Sequence, residues 1–343
     1  MSGLEPAPGV AGGRYRPADS LESPRFTGPR TFLRLPHVRS LEDVDVALIG
    51  IPTDGAVGYR SGSRFGPEAV RSASVLLRPY DPDLGVDVGE LSAVDHGDAP
   101  TVPGYHVETL DRVAAFLRPV HEAGVVPLCV GGDHSITLAE LRAAAAVHGP
   151  LALVHLDAHS DVIDQYYGVR HFHGTVFRRA AEEGLVEPRR SIQAGMRGTV
   201  PSADDRDAAR RLGYDVVTWG ELETLSPAAY GERVRSRVGG GPVFLSFDID
   251  FVDPAFAPGT GTPEVGGPSS AQALAYLGAL TGLDLRGLDL VEVSPPYDPA
   301  GTTALLAAAL CHRMLALLAL ARRRSGVRRR HPAHASPRRE EAL

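Results

Sequence analysis

The run "LALVHLDAHSD", residues 151–161, sets Asp157, His159 and Asp161 at every second position directly after an apolar stretch. In an extended backbone, side chains two apart point to the same side, so all three face one spot. Acids gathered that closely either share a ligand or repel one another. An apolar run that turns polar at its end is also how a strand of a buried parallel sheet reads where it reaches the sheet's carboxyl edge, the edge at which such sheets build their sites.

Working outward, the same short apolar runs recur at residues 44–52, 125–133, 191–196, 214–219, 242–250 and 287–295. Helix-like stretches separate them, among them "VETLDRVAAFLRPVHEAG", "SITLAELRAAAAVHG", "SADDRDAARRLG", "PAAYGERVRSRVG" and "SSAQALAYLGALTG", most of them closed by glycine. Strand–helix alternation predicts a parallel sheet with helices on both faces. No internal repeat or Pro/Ser linker divides the middle. The expectation is a flexible N-terminal arm over 1–30, one catalytic domain over 31–321 and a disordered Arg-rich tail over 322–343.

Composition narrows the chemistry. With 343 residues and 43% apolar content, the chain can build a full core without staples. It contains no lysine, which excludes Schiff-base catalysis, a pyridoxal phosphate anchor and a P-loop lysine together. Cys129 and Cys311 lie far apart in apolar runs and read as buried thiols of a reducing compartment. No apolar stretch reads as long and uninterrupted enough to span a membrane, and the first twenty residues lack the pattern of a signal peptide, so a cytoplasmic location is expected. The tail holds eight arginines against Glu340 and Glu341, leaving an acidic remainder in a chain of net charge −7. Without interleaved aromatics it reads as a solvated end, and no nucleic-acid or membrane partner is expected.

Four of the apolar runs end in acids or histidines: "GGDHS" with Asp133 and His134, "DAHSD", "DIDFVD" with Asp248 and Asp250, and "LVEVSPPYD" with Glu292. They can converge on one crevice. Singly, an Asp or His after a strand is more often a helix cap or turn residue. Jointly, His134, Asp157, His159, Asp161, Asp248 and Asp250 offer four carboxylates, two imidazoles and no thiolate, a set that suits Mn²⁺ better than a structural zinc, while also admitting nickel or cobalt. Too many anions converge for one ion; two divalent cations would neutralise them and supply a hydroxide near neutral pH.

"GGDHS", "DAHSD" and "SFDIDFVDPAFAPGTGTPEVGG" resemble the three metal-binding signatures of the ureohydrolase (arginase–agmatinase) family, with similarity running from about residue 31 to 320. The third is the most specific, because its Gly/Pro-rich loop has no reason to recur in an unrelated sheet protein. The segments "TFLRLPHV", "RFGPEAVR", "HGTVFRRAAEEGL" and "EVSPPYD" are most similar to bacterial agmatinases and guanidinobutyrases.

The resemblance implies an α/β fold, the three-layer αβα arginase-like architecture with a central, mostly parallel sheet. It implies two Mn²⁺ per chain: one ion on His134, Asp157, Asp161 and Asp248, the other on His159, Asp157, Asp248 and Asp250. It further implies that Glu292 grips the substrate guanidinium, that His173 in "HFHGT" shuttles protons, and that Asp161 or His173 relays one to the leaving amine. Neighbouring His171 has no such role. The activity implied is hydrolysis of a guanidino compound to urea and an amine, with agmatine the first expectation and 4-guanidinobutyrate the alternative. Asp164, Gln165 and the adjacent tyrosines suit an amine at the substrate's far end, whereas Arg170 suits an acid. Pro299 in "YDPAG" and Phe172 before "HGT" depart from the usual pattern and bear on that far end. A homo-oligomer, trimer or hexamer, is implied by the family alone. Two other readings of the fold, a one-zinc deacetylase and a silent binding subunit, fit less well, since all six ligand positions and Glu292 are present.

Overall fold

The structure is a computed structural model that describes residues 13–325; residues 1–12 and 326–343, which hold much of the expected arm and tail, lie outside the described residues. The strands are β1 (Val46–Ile51), β2 (Tyr80–Asp81), β3 (Val86–Asp87), β4 (Ala93–Asp98), β5 (Val126–Gly131), β6 (Ala152–Leu156), β7 (Ile192–Met196), β8 (Asp215–Thr218), β9 (Pro242–Asp248) and β10 (Asp284–Val291). The helices are α1 (Gly66–Ser74), α2 (His106–Glu122), α3 (Thr137–His148), α4 (Val176–Glu182), α5 (Ala203–Arg206), α6 (Ala208–Leu212), α7 (Trp219–Leu222), α8 (Pro227–Val238), α9 (Ser270–Gly278) and α10 (Thr302–Ser325).

Eight strands form one sheet in the order β4-β1-β5-β10-β9-β6-β7-β8, while β2 and β3 make a separate small hairpin. Every pairing in the large sheet is parallel. Alternation along β1 shows how the layers arise. Val46 and Leu48 join one apolar cluster, with residues of α8, α9 and α10, and Ala47, Ile49 and Ile51 join the other, with residues of α2, α3 and α4. A sheet covered on both faces must carry apolar side chains on both, and all six residues of β1 are buried. Local signals set the helix ends: Pro227 follows the Ser226 cap of α8, Ser269 and Gln272 form a capping box on α9, and Gly213 closes α6 at φ 106°.

The structure departs from the sequence expectation in four places. Strand β4, "AVDHGD", has no apolar run to announce it. Its Asp95 is buried because Arg71 and the Phe32 N–H both bind it at 2.8 Å, and such pairing is invisible to hydropathy. The stretch 202–213 is two short helices, broken where Asp207 leaves helical geometry (φ −102°, ψ 4°). The arm is docked from residue 13: Tyr15 N–H donates to Ser92 Oγ (3.2 Å), the Ala93 N–H donates to Tyr15 O (3.2 Å), and Arg14 pairs with Asp43 (3.0 Å). Finally, α10 runs on through the first tail arginines, with Arg322 paired to Asp45 and Arg323 to Glu90. By length and a mean hydropathy of 2.0 this helix could cross a membrane, but 78% of its apolar window is buried inside the protein. It packs on α1 and α9 as a core helix.

Candidate metal centre

The four motif-bearing strands β5, β10, β9 and β6 are contiguous at the centre of the sheet, so their carboxyl ends meet. His134 opens a 3₁₀ turn after β5. Asp133 caps that turn by accepting the Ser135 N–H (3.0 Å), and its other oxygen accepts the Ala56 N–H (3.0 Å); this acid of "GGDHS" is structural. Asp157, His159 and Asp161 follow β6. Asp248 ends β9 and accepts the Asp250 N–H (2.8 Å) through Oδ1, which aims both acids at the crevice.

The six sequence-predicted metal ligands come together in two lobes. In the first, fully buried His134 Nδ1 lies 3.2 Å from Asp157 Oδ2, 3.0 Å from Asp161 Oδ2 and 3.2 Å from Asp248 Oδ2. Yet none of these contacts has hydrogen-bond geometry, and Nδ1 has no hydrogen-bond partner among the described residues. In the second, His159 Nδ1 is 3.0 Å from Asp250 Oδ2 and 3.5 Å from Asp157 Oδ1. Asp157 therefore faces both lobes, one oxygen to each, as a bridging carboxylate must. Asp248 turns Oδ2 to the first lobe while Oδ1 accepts the Asp250 amide, so Oδ2 is the oxygen it has to share.

The electrostatics call for cations. Burial, then repulsion from Asp250 and Asp157, pushes Asp248 well above the usual carboxylate range; burial and Asp157 push Asp250 up to about 7. Burial acts against the ionised form of Asp157 too, but His155, His134 and His159 hold it well below that range. His134 and His159 are driven up against the cost of burial by the acids around them. Four acids and two imidazoles packed around an orphaned Nδ1 is a donor set that fits hard-to-borderline divalent ions.

Behind the first lobe, His134 Nε2 lies 2.9 Å from Ser246 Oγ, which donates to Asp289 Oδ1 (2.7 Å); Thr137 Oγ1 donates to Asp289 Oδ2 (2.6 Å). With Nε2–H directed at Ser246, Nδ1 keeps its lone pair for a ligand. Sequence reading missed Ser246, Asp289 and His155. The alternation that marks the DAHSD motif already carried a cue, since His155 sits two before Asp157 and Ser246 two before Asp248, both inside apolar strands.

Glu292 follows β10 at φ 64°, and Asp161 stands at φ 50°. Glu292 Oε1 accepts the His134 N–H (2.9 Å) and lies 3.1 Å from His173 Nδ1, while its buried Oε2 has no hydrogen-bond partner among the described residues. Burial opposes a charge on His173, but the hydrogen bond and charge of Glu292 raise it to about 9. The Gly58 N–H reaches His173 Nε2 at 3.2 Å and favours a free lone pair there, so protonation would sacrifice that contact. In a buried site the carboxylate is the stronger partner.

A cavity of about 850 Å³ opens over both lobes, with His159, Asp161, His173, Asp248 and Asp250 on its wall. Arg170 is not part of it: the side chain is exposed and paired with Glu182 (2.7 Å). Asp164 is likewise committed, to Arg179 (2.6 Å), Gln165 is exposed, and His171 lies outside the cavity, as does exposed Pro299. Arg197 lines the cavity but braces backbone, donating to the carbonyls of Asp250 (2.8 Å), Phe251 (2.9 Å) and Glu264 (2.8 Å). Phe172 stacks on the cavity residue Tyr166, with ring centroids 4.9 Å apart.

The Arginase family profile matches residues 44–316. The chain is a member of the arginase family. It is 47% identical over 320 residues to a guanidinopropionase of Pseudomonas aeruginosa, covering 90% of this chain and 98% of that protein. It is 45% identical to a guanidinobutyrase of the same organism, covering 89% and 97%. Among solved structures, proclavaminate amidino hydrolase from Streptomyces clavuligerus superposes with a TM-score of 0.84 at 44% identity, covering 87% of this chain and all of that one. This arginase-family chain is thus a hydrolase acting on C–N bonds of linear amidines.

Proposed function

We propose that this chain uses two manganese ions to hydrolyse the guanidino group of an ω-guanidino acid to urea and an amino acid. The observation that carries the guanidino assignment is the unpartnered, buried Glu292 Oε2 beside the acid cluster. A carboxylate oxygen left without a donor at that depth is costly, and a planar cation with paired N–H groups satisfies it best. His134, Asp157, Asp161 and Asp248 would hold one ion and His159, Asp157, Asp248 and Asp250 the other. When bound, the ions neutralise the acids and supply a nucleophile at neutral pH.

The chain's own residues do the rest. Glu292 orients the guanidinium: Oε1 is fixed by the His134 amide and His173, which leaves the buried Oε2 as its free acceptor. His173, on the cavity wall, holds a proton that it can give to the departing amine. Asp161, whose Oδ2 faces the first lobe, is the second candidate for that relay.

The far end of the substrate favours an acid. Of the arginines on the cavity wall, Arg197 is bound to carbonyls and Arg210 to Asp207 and the Val216 carbonyl, whereas Arg206 has no side-chain partner among the described residues. A free guanidinium is the group that receives a carboxylate, and the names of the two Pseudomonas relatives are those of enzymes for guanidino acids. Agmatine is the second reading, supported by Asp205 and Glu264 on the same wall. Its sequence cues weaken in the structure, because Asp164 is taken by Arg179. Urea release from 3-guanidinopropionate, 4-guanidinobutyrate, agmatine and arginine under one Mn²⁺ condition tests this. A guanidino acid should exceed agmatine at least tenfold in kcat/KM, roughly 1.4 kcal/mol of transition-state preference; the reverse ratio would overturn the assignment. The same reading includes assembly into a trimer or hexamer in the cytoplasm, and light scattering showing a monomer would remove that part.

A further inference from the structure

Three buried residues, His134, His155 and Asp157, bring donor atoms within 4.8 Å of one another and by proximity form a ligand group of their own. His155 was not among the sequence-predicted ligands. The hydrogen bonds around it decide its role.

Gln193, fully buried on β7, places its Nε2 2.8 Å from the Ser160 carbonyl and 3.1 Å from His155 Nδ1. A carbonyl oxygen can only accept, so the amide nitrogen, not the amide oxygen, must face Ser160. That nitrogen's second hydrogen then points at His155 Nδ1, which must accept. The ring hydrogen is therefore on Nε2, and Nε2 lies 2.7 Å from Asp157 Oδ2. The ring also packs against two neighbours, with its centroid 4.3 Å from that of Phe177 and 5.2 Å from that of His134.

We infer that His155 is not a metal ligand but a positioning residue, pinned by Gln193 so that its Nε2–H donates to the carboxylate shared between the two lobes. A ligand needs a lone pair aimed at the ion, whereas Nε2 offers Asp157 a hydrogen and Nδ1 is consumed by Gln193. The donor leaves Asp157 Oδ2 one lone pair for the first lobe and fixes the plane of the carboxylate, while Oδ1, which also accepts the His159 N–H at 2.6 Å, faces the second. This assignment rests on the two-ion reading above, and the tests separate the two.

Metal counting by mass spectrometry on the wild type tests the reading itself, with two ions per chain expected. The positioning role is tested by His155→Gln, whose Nε2 can occupy the place of the imidazole Nε2, and by His155→Leu and Gln193→Leu, which remove the donor and its pin. His155→Gln should keep two ions with dissociation constants within about threefold of wild type, and His155→Leu should keep both sites but weaken them about 10–100-fold. Gln193→Leu should fall between them. Long-range ¹⁵N–¹H spectra of the zinc-loaded, diamagnetic protein should show His155 as the Nε2–H tautomer without a metal-bound nitrogen. Loss of one ion in His155→Gln, or a metal-shifted His155 nitrogen in the wild type, would overturn the inference. If the leucine variants fail to fold, the wild-type spectrum and the glutamine variant decide it alone.

Discussion

Replacing Glu292 by glutamine changes one charge and almost no volume, and the structure separates what that does to folding from what it does to the substrate. The amide oxygen can take the place of Oε1 and keep the His134 N–H and His173 contacts at 2.9 and 3.1 Å. What disappears is the negative charge and the free acceptor at Oε2. Glu292 is 1% exposed, so solvent does not screen the loss. Removing one partner of a buried ion pair costs about 3–5 kcal/mol, which corresponds to roughly two to four orders of magnitude in kcat/KM. Without substrate or metal the variant strips buried His173 of its carboxylate partner, so the metal-free protein should melt lower than wild type. The assay is urea release with metal content measured on the same samples. A fall of less than tenfold at full metal occupancy would mean that Glu292 does not grip the guanidinium, and loss of metal would mean that it serves the ions instead.

The remaining predictions address the metal, its support and acid stability. Chelation should abolish activity and Mn²⁺ should restore it, with Asp157→Ala losing both ions and His173→Ala keeping both while turning over more slowly; a His173→Ala protein short of metal would refute the separation of roles. Asp289→Asn puts an amide N–H where Ser246, Thr137 or the Phe247 amide now donates, so metal affinity should weaken about 10–100-fold by equilibrium dialysis, and an unchanged affinity would show that His134 does not depend on that support. His121, buried beside His148, is lowered to about 4 from 6.5, first by burial and then by its neighbour. The unfolded chain takes up a proton between these values that the folded one does not. Its contribution is therefore fully present above about pH 6.5 and lost as pH falls through 4, at most about 3 kcal/mol. Urea melts across that range should be flatter for His121→Gln, and an identical acid slope would exclude His121 as the cause.

How much was legible in the sequence depended on whether a residue's role is set by its own chain neighbours or by distant ones. Asp157, His159 and Asp161 declare themselves because alternation along one strand end is a local property, and the all-parallel sheet follows from apolar runs buried on both faces. The order of strands does not appear in any window of sequence, yet it is what brings β5, β10, β9 and β6 side by side. Strand β4 stayed hidden because its buried acid is balanced by Arg71 from a different element. The same limit explains Arg170 and Asp164. Both sit in the right loop, but a loop sequence does not say which side chain turns inward, and Glu182 and Arg179 draw these two onto the surface.

Backbone strain adds a marker of the site that is independent of its chemistry. Among the described residues, six that are not glycine have positive φ: Leu33, Arg34, Asp43, Asp161, Tyr167 and Glu292. Such conformations cost of order 1–3 kcal/mol and persist only where surrounding contacts over-determine them. Asp161 and Glu292 are both buried and both held by backbone bonds, the Phe177 N–H donating to Asp161 O at 3.0 Å and the Glu292 N–H donating to Gly132 O at 2.9 Å. Glycine would relieve the strain at either position but would bring no carboxylate. A chain shaped only by stability would place glycine there, as it does at Gly198 on the wall of the same cavity, where φ is 77°. The two acids therefore occupy strained positions for what their oxygens reach: Asp161 Oδ2 at the His134 lobe, and Glu292 Oε2 with nothing yet to hold.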